Sequence, residues 1–305
     1  MRTDSLPGRF FAAFEGTRSA YPIAVFRIAF FGSLALHFFP SLTNLDENYT
    51  AGALRTEEWN HWLYNALYHV PHSTLWMWSI VAMGGCVMGI VGFLPRVAAI
   101  VTGVGFYMFA SFNGRPVQTL ALVDAWAILL AWMICGGGAE ALSVDATLRR
   151  RRAGSDAATE PPIAPKLLSA LVLYQVTLAT FFAGVEKILA GWPWTNEMGI
   201  VLAYPRGFMV RDWVAASSWL HGSVVTHAFT WFTLIVELGA PVLFVFGRPR
   251  ARVVALVAYE AFFLGIVAVL QVPALFYFLF AGGGLLVLDD EQVEAISTRL
   301  RGRAR

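Results

Sequence analysis

Charge is scarce in this sequence. Only 14% of its 305 residues are Asp, Glu, Lys or Arg, against about 25% in an ordinary soluble domain, which excludes a water-facing surface of normal polarity. A net charge of +2 provides no basic field of the kind that attracts nucleic acid, so no nucleic-acid partner is expected. Cysteine is nearly absent. Cys86 and Cys135 each sit inside an apolar run, which argues against a disulfide framework and against a cysteine-based metal site. The histidines His37, His61, His69, His72, His221 and His227 show no HExxH or comparable ligand spacing, and no bound metal is expected. No internal repeat is visible. The first apolar run, 21–39, is too long for a signal-peptide core and no small-x-small cleavage pattern follows it, so it reads as a retained helix.

What the sequence has in abundance is hydrocarbon. Apolar residues make up 57% of it and the mean hydropathy is +0.60. A helix needs roughly 20 mainly apolar residues to cross a bilayer core of about 30 Å. About eight stretches approach that length: 21–39, 73–94, 96–112, 117–135, 166–186, 224–246, 253–271 and 273–288. Between the last two stands only Val272-Pro273, a helix breaker that permits either a tight hairpin or one kinked helix. Positive residues decide the parity, because cytoplasmic loops accumulate them. With the N-terminus inside, inner segments collect Arg2, Arg9, Arg18, Arg96, the run Arg149 to Arg152, Lys166, Arg248, Arg250, Arg252, Arg299, Arg301, Arg303 and Arg305. The outer side receives only Arg55, Arg115, Lys187, Arg206 and Arg211. An even number of crossings fits, whereas merging the last two would export the arginine-rich tail.

The expected fold is therefore an all-α, polytopic bundle of about eight transmembrane helices, integral to a bacterial cytoplasmic membrane with both termini cytoplasmic. One domain is expected over 1–305: a first four-helix half (1–145), a cytoplasmic linker (146–165), a second four-helix half (166–288) and a basic tail (289–305). Two long outer segments, 40–72 and 187–223, carry aromatic residues at interfacial density, among them Trp59, Trp62, Tyr64, Tyr68, Trp192, Trp194, Tyr204, Trp213 and Trp219. They are expected to form interfacial helices on the outer face. Such caps could roof a cavity, or simply anchor the chain at the headgroups. The loop 149–165 reads as a flexible connection.

Ionisable side chains at bilayer depth are costly unless paired or wet, so they are the best functional clues. Arg27 lies about 9 Å into the first helix at 1.5 Å per residue, and Glu237 and Glu260 fall at a similar reckoned depth. Arg27 is expected to pair with one or both glutamates, either to fix helix register or to line a polar pocket. Thr226, Thr230, Thr233 and Glu237 recur at i, i+4, i+7 and i+11, one helical face that should look at protein or water. His227 sits beside it, a residue type more often satisfied locally than used as a ligand. Asp124 lies about 10 Å down the fourth helix. Thr177, Thr180, Gly184 and Lys187 form a second small, polar face. A lysine in apolar surroundings can act as a base, while a neighbouring carboxylate such as Glu186 opposes this.

Three fragments add to this reading: Val25-Phe26-Arg27, Gly184-Val185-Glu186-Lys187 with Trp192 following, and Leu142-Ser143-Val144-Asp145. Together they resemble the horizontally transferred transmembrane (HTTM) domain family, which includes the membrane part of the vitamin K-dependent gamma-glutamyl carboxylase. The resemblance runs from about residue 15 to 288, and the family's eight spanning helices agree with the number reached from hydropathy and charge. In the carboxylase, a lysine in the fragment matched by Lys187 deprotonates reduced vitamin K. The resemblance thus implies Lys187 as catalytic base, a quinol cofactor, and oxygen and carbon dioxide as partners. Three features depart from the family pattern. Nothing after Leu288 matches the carboxylase's β-rich peptide-recognition region, Asn113-Gly114-Arg115 stands in place of an asparagine-histidine pair, and Phe263 stands for a late-helix histidine.

Two functions are expected on these grounds. One is a membrane protein binding a lipid, a quinone or a protein partner in a polar pocket formed by Arg27, Asp124, Glu186, His227, Thr230, Glu237 and Glu260. The other is a carboxylase-like enzyme with Lys187 as the base toward reduced vitamin K or another quinol. A transporter is not expected, since matching halves with Gly/Pro-broken helices are missing.

Overall fold

A computed structural model of the chain describes residues 14–43, 72–112, 116–136, 138–153, 162–195, 210–270 and 274–295. Most of the expected outer cap 40–72, with Trp59, Trp62, Tyr64 and Tyr68, lies outside the described residues, as do Asn113-Gly114-Arg115, Tyr204, Arg206 and the last ten residues. The fold is all-α: α1 (Tyr21–Thr43), α2 (His72–Val91), α3 (Pro95–Phe112), α4 (Pro116–Cys135), α5 (Val144–Ala153), α6 (Lys166–Leu189), α7 (Asp212–Ala215), α8 (Ser223–Phe246), α9 (Pro249–Val269) and α10 (Ala274–Gly284). Two three-residue strands, β1 (Thr17–Ser19) and β2 (Ile163–Pro165), pair antiparallel with Arg18 opposite Ala164.

A described helix overlaps each of the eight apolar stretches, but only α6, α8 and α9 are long and apolar enough to cross a membrane. Tyr21–Leu36, Trp76–Val91, Asp124–Cys135 and Tyr277–Val287 are shorter apolar helical stretches. Three helices of spanning length, not eight, is thus the count among the described residues. α10 ends at Gly282-Gly283-Gly284, poor helix formers, and a 3₁₀ turn follows at Leu285–Val287. α9 and α10 pack on one another, with Phe263 and Phe280 stacked at 5.3 Å, so residues 253–288 form two helices instead of one kinked helix.

The chain divides into two compact units, Met1–Val172 and Leu173–Arg305. The division falls inside α6, not in the loop before it, because β2 and a hydrogen bond from Lys166 N to Gly16 O tie the start of α6 to the N-terminal segment. Residues expected to be a flexible linker include α5, which has the sequence marks of a helix. Ser143 caps it by accepting from Ala146 N at 3.0 Å, with Asp145 in the first turn and Arg150, Arg151 and Arg152 in the last. The expected tail likewise starts as a helix, where Asp289 and Gln292 bond each other's backbone N–H groups in a capping box.

In the first unit, successive helices α1 to α4 pack as neighbours. Gly89 of α2 lies against the Phe31 ring of α1, and Phe26, Phe30 and Phe31 surround the fully buried Trp132 with ring centroids 5.7–5.8 Å away. Below this cluster lies Arg27, fully buried. Its guanidinium donates to the carbonyls of Gly138, Ala141 (3.3 Å) and Leu142 (2.6 Å) in the turn between α4 and α5. Glu140 and Asp145 supply opposite charge. The expected pairing with Glu237 or Glu260 is therefore corrected: loop carbonyls and nearby carboxylates of its own unit answer the charge. The turn needs this clamp, since Leu142 holds φ +49°, a left-handed conformation that costs an ordinary residue about 1–2 kcal/mol. Gly92, at φ +67°, ends α2 beside the clamp, and a methyl group there would lie 2.9 Å from Arg27 Cζ.

Replacing Arg27 with Leu leaves three carbonyls without their donor and is expected to destabilise the protein by roughly 3 kcal/mol or more. Arg27→Lys should restore only part, because an ammonium cannot fork across three acceptors. Denaturant unfolding in detergent checks this; an unchanged midpoint for Arg27→Leu would contradict the clamp.

Candidate functional site

The site is built in the second unit from the ends of α6 and the middle of α8. On α8, Thr226, Thr230, Thr233 and Glu237 are all buried, while Ile235 and Phe246 are more than 60% exposed. The helix presents its polar stripe to protein and its apolar faces outward, the reverse of a water-soluble surface helix. Thr177, Thr180 and Gly184 of α6 are buried in the same way, and Phe182 is exposed.

Gly184 brings the two stripes together. A methyl group in its place would lie 2.9 Å from Leu238 Cδ2 and 3.1 Å from Glu237 Cβ, so any larger residue would push α8 away. Three residues along α6, Lys187 Nζ donates to both carboxylate oxygens of Glu237, at 2.7 and 2.8 Å. The two side chains are 21% and 8% exposed. A charge-assisted bond of this length in a dry setting is much stronger than its surface equivalent.

The chain then folds back over the lysine. Gly191, at φ +84°, accepts the left-handed turn that ends α6, with Gly191 N donating to Ile188 O and Trp192 N to Lys187 O, a Schellman motif. Trp192 is thereby placed with its ring centroid 5.4 Å from Lys187 Nζ, within cation–π range.

Lys187 lies two residues from the end of α6, whereas Glu237 lies fourteen residues into α8. The first turns of α8, with Thr226, Thr230 and Thr233, consequently run past the end of α6 and lead down to the ion pair. The hydroxyls of Thr226 and Thr230 bond carbonyls of their own segment, Thr226 Oγ1 to Ser223 O and Thr230 Oγ1 to Thr226 O, both at 3.0 Å.

The structure gathers some of the expected site residues and separates others. Glu237 and Lys187 meet, with Thr230 two turns above Glu237 on the same face. Glu186, next to Lys187 in the sequence, is exposed. His227 directs Nδ1 at Ser223 O, 2.7 Å away in its own helix. Glu260 of α9 stands near Gly284 with its Oε1 buried and, among the described residues, without a hydrogen-bond partner. Arg27 and Asp124 belong to the first unit, Asp124 buried in α4. Phe263 packs between Tyr259 and Phe280 as a core aromatic residue. Among the described residues no three His, Cys, Asp or Glu side chains cluster as a metal site would require. Sequence reasoning missed the role of Trp192 as a platform, although Gly191 after the last turn of α6 is the signal that could have found it.

Removing either member of the pair leaves a desolvated charge alone, and Lys187→Met or Glu237→Gln is expected to cost about 3–5 kcal/mol. The double variant Lys187→Met/Glu237→Gln should lose less than the sum of the singles by at least about 1 kcal/mol. Unfolding of the four proteins in detergent measures this coupling, and strictly additive losses would show that the pair does not act as a unit.

No protein-family model, curated protein or solved structure matches this chain.

Proposed function

We propose that this chain is an integral membrane protein of about eight passes, with both termini on the cytoplasmic side, that binds a lipophilic quinone at Lys187, Glu237 and Trp192. Membrane placement is supported by α6, α8 and α9, which are long and apolar enough to cross, and by the inverted polarity of α8. The eight-pass reading draws on the shorter apolar helices and on the segregation of arginine between alternate loops. Resemblance to the HTTM family through Arg27, Leu142-Ser143-Val144-Asp145 and Gly184 to Lys187 points the same way. Two of those fragments do meet physically: Arg27 donates to Leu142 O.

The single observation that carries the binding reading is the Lys187–Glu237 pair beneath an indole, at the end of a buried threonine stripe. Its donor set suits a quinone headgroup. An ammonium donates to a carbonyl of the quinone, a carboxylate accepts from a hydroxyl of its reduced quinol form, and an indole face takes the ring. Apolar walls around few, convergent polar groups are what small-molecule sites use.

A second reading, a carboxylase-like enzyme, is favoured by the contact of Lys187 with Glu237, a carboxylate that can take the lysine's proton. A reduced vitamin K type quinol would supply a hydroxyl acid to be deprotonated. Lys187 as an ammonium already carries its proton, so base action first requires that proton to pass to Glu237 across the 2.7 Å contact. Lys187, then neutral, would take a proton from the hydroxyl, leaving Glu237 protonated and Lys187 charged. Carboxylation of peptides is not part of this proposal.

Titration of the purified protein in nanodiscs with a naphthoquinone, followed by tryptophan fluorescence, tests the binding reading. Saturable quenching is expected, weakened about tenfold or more in Lys187→Ala and in Glu237→Gln. Absence of saturable binding to the folded protein, or binding unaffected by both substitutions, would overturn it. Consumption of the quinol that stops in Lys187→Ala would select the enzyme reading.

A further inference from the structure

A second site lies beside the N-terminal half of α8, where the last turns of α9 meet the segment 210–222. The final carbonyls of a helix have no partners within it. Here Arg211 supplies two of them, its backbone N to Val269 O at 3.0 Å and its Nε to Val267 O at 2.8 Å, and Trp213 Nε1 covers Ala268 O at 3.0 Å. Val210 forms an isolated bridge with Leu270, and Val210, Val214 and Leu220 bury themselves against Val225, Val269 and Leu270. This short segment is thus fastened over the end of α9.

Between it and the two helices runs a groove of about 210 Å³, lined by Val214, Leu220, Phe229, Phe232, Phe262 and Gly265. Thr233 is the one hydroxyl-bearing residue lining it among the described residues, and its stretch along α9 from Ala261 to Leu270 covers about 13 Å at 1.5 Å per residue. Such a slot has the length and polarity of a hydrocarbon chain and too few polar groups for a ring-shaped head. Arg211 adjoins the groove through its backbone N, which donates to the carbonyl of Val269, one of the lining residues. With Nε bonded to Val267 O, its two terminal nitrogens have no acceptor among the described residues. A fixed cation with free donors beside an apolar slot complements a phosphate ester joined to an acyl chain. Asp212 next to it is exposed at the start of α7.

We propose that this groove is a phospholipid site, with one acyl chain between α8 and α9 and the headgroup phosphate on Arg211. It shares with the quinone reading the placement of these helices in a bilayer and one residue of the threonine stripe, Thr233, and involves neither Lys187 nor Glu237.

Gly265 provides the test. A Cβ added there meets nothing within 4 Å, and Gly265 lines the groove, so Gly265→Phe is expected to occupy it. The measurement is native mass spectrometry of the full chain in detergent, titrated with palmitoyl-oleoyl phosphatidylglycerol and, separately, with diacylglycerol bearing the same chains. The unmodified protein should hold one phosphatidylglycerol at least about tenfold more tightly than diacylglycerol. Gly265→Phe should lose the adduct, and Arg211→Gln should erase the preference for the phosphate. Retained phosphatidylglycerol in Gly265→Phe, or equal binding of the two lipids by the unmodified protein, would overturn the proposal. The second comparison decides even if Arg211→Gln does not fold, and quinone titration of Gly265→Phe should be unchanged if the two sites are separate.

Discussion

A charged side chain that gives up its water must recover the lost interactions from its own chain, and on the reading proposed here that requirement organises both units. Arg27 recovers them from carbonyls of a turn, and Lys187 from a carboxylate on another helix. Each solution depends on small residues that let backbones approach. Gly92 leaves room for the guanidinium and Gly184 lets α8 come close enough for Glu237 to reach the lysine. The apolar bulk of the helices is free to face outward only because these few groups are answered inside.

The two devices have different consequences. Carbonyls held by Arg27 are fixed acceptors with no proton to exchange, so that cluster serves the fold: it locks the turn that starts α5 and holds Leu142 in its left-handed conformation. Lys187 and Glu237 can each exchange a proton and are partly accessible, with an aromatic ring alongside. Chemistry, where there is any, belongs to this second pair. The same contrast runs through the helix ends. Trp192 is placed by a Schellman turn and Arg211 by its role in completing α9, so residues that could contact ligands are held by backbone hydrogen bonds rather than by loops alone.

Much of the fold was legible because apolar periodicity and length are local properties. Described helices overlap all eight stretches read from hydropathy, and the buried faces Thr226 to Glu237 and Thr177 to Gly184 follow from helical spacing alone. Partnerships were less legible. Glu237 was assigned to Arg27 by reckoning depth from the helix ends as if all helices began at one level. The stagger between α6 and α8 breaks that assumption, and no local pattern records it. The spanning count also differs, with three helices among the described residues meeting the length and hydropathy of a crossing. Arg27's carbonyl partners could not be read from residue types at all, since every residue has a carbonyl and only the shape of the turn selects three.

The central claim is that hydrocarbon, not water, surrounds the outward faces of α8 while its polar stripe is turned to protein. Single cysteines placed along α8 in a background without Cys86 and Cys135, and probed in intact membranes with a membrane-impermeant maleimide, test it most directly. The account predicts labelling at Ser223 from the exported side only, at Gly247 from the cytoplasmic side only, and none at Phe232, Ile235 or Val242. Labelling of those three outward-facing positions would contradict it.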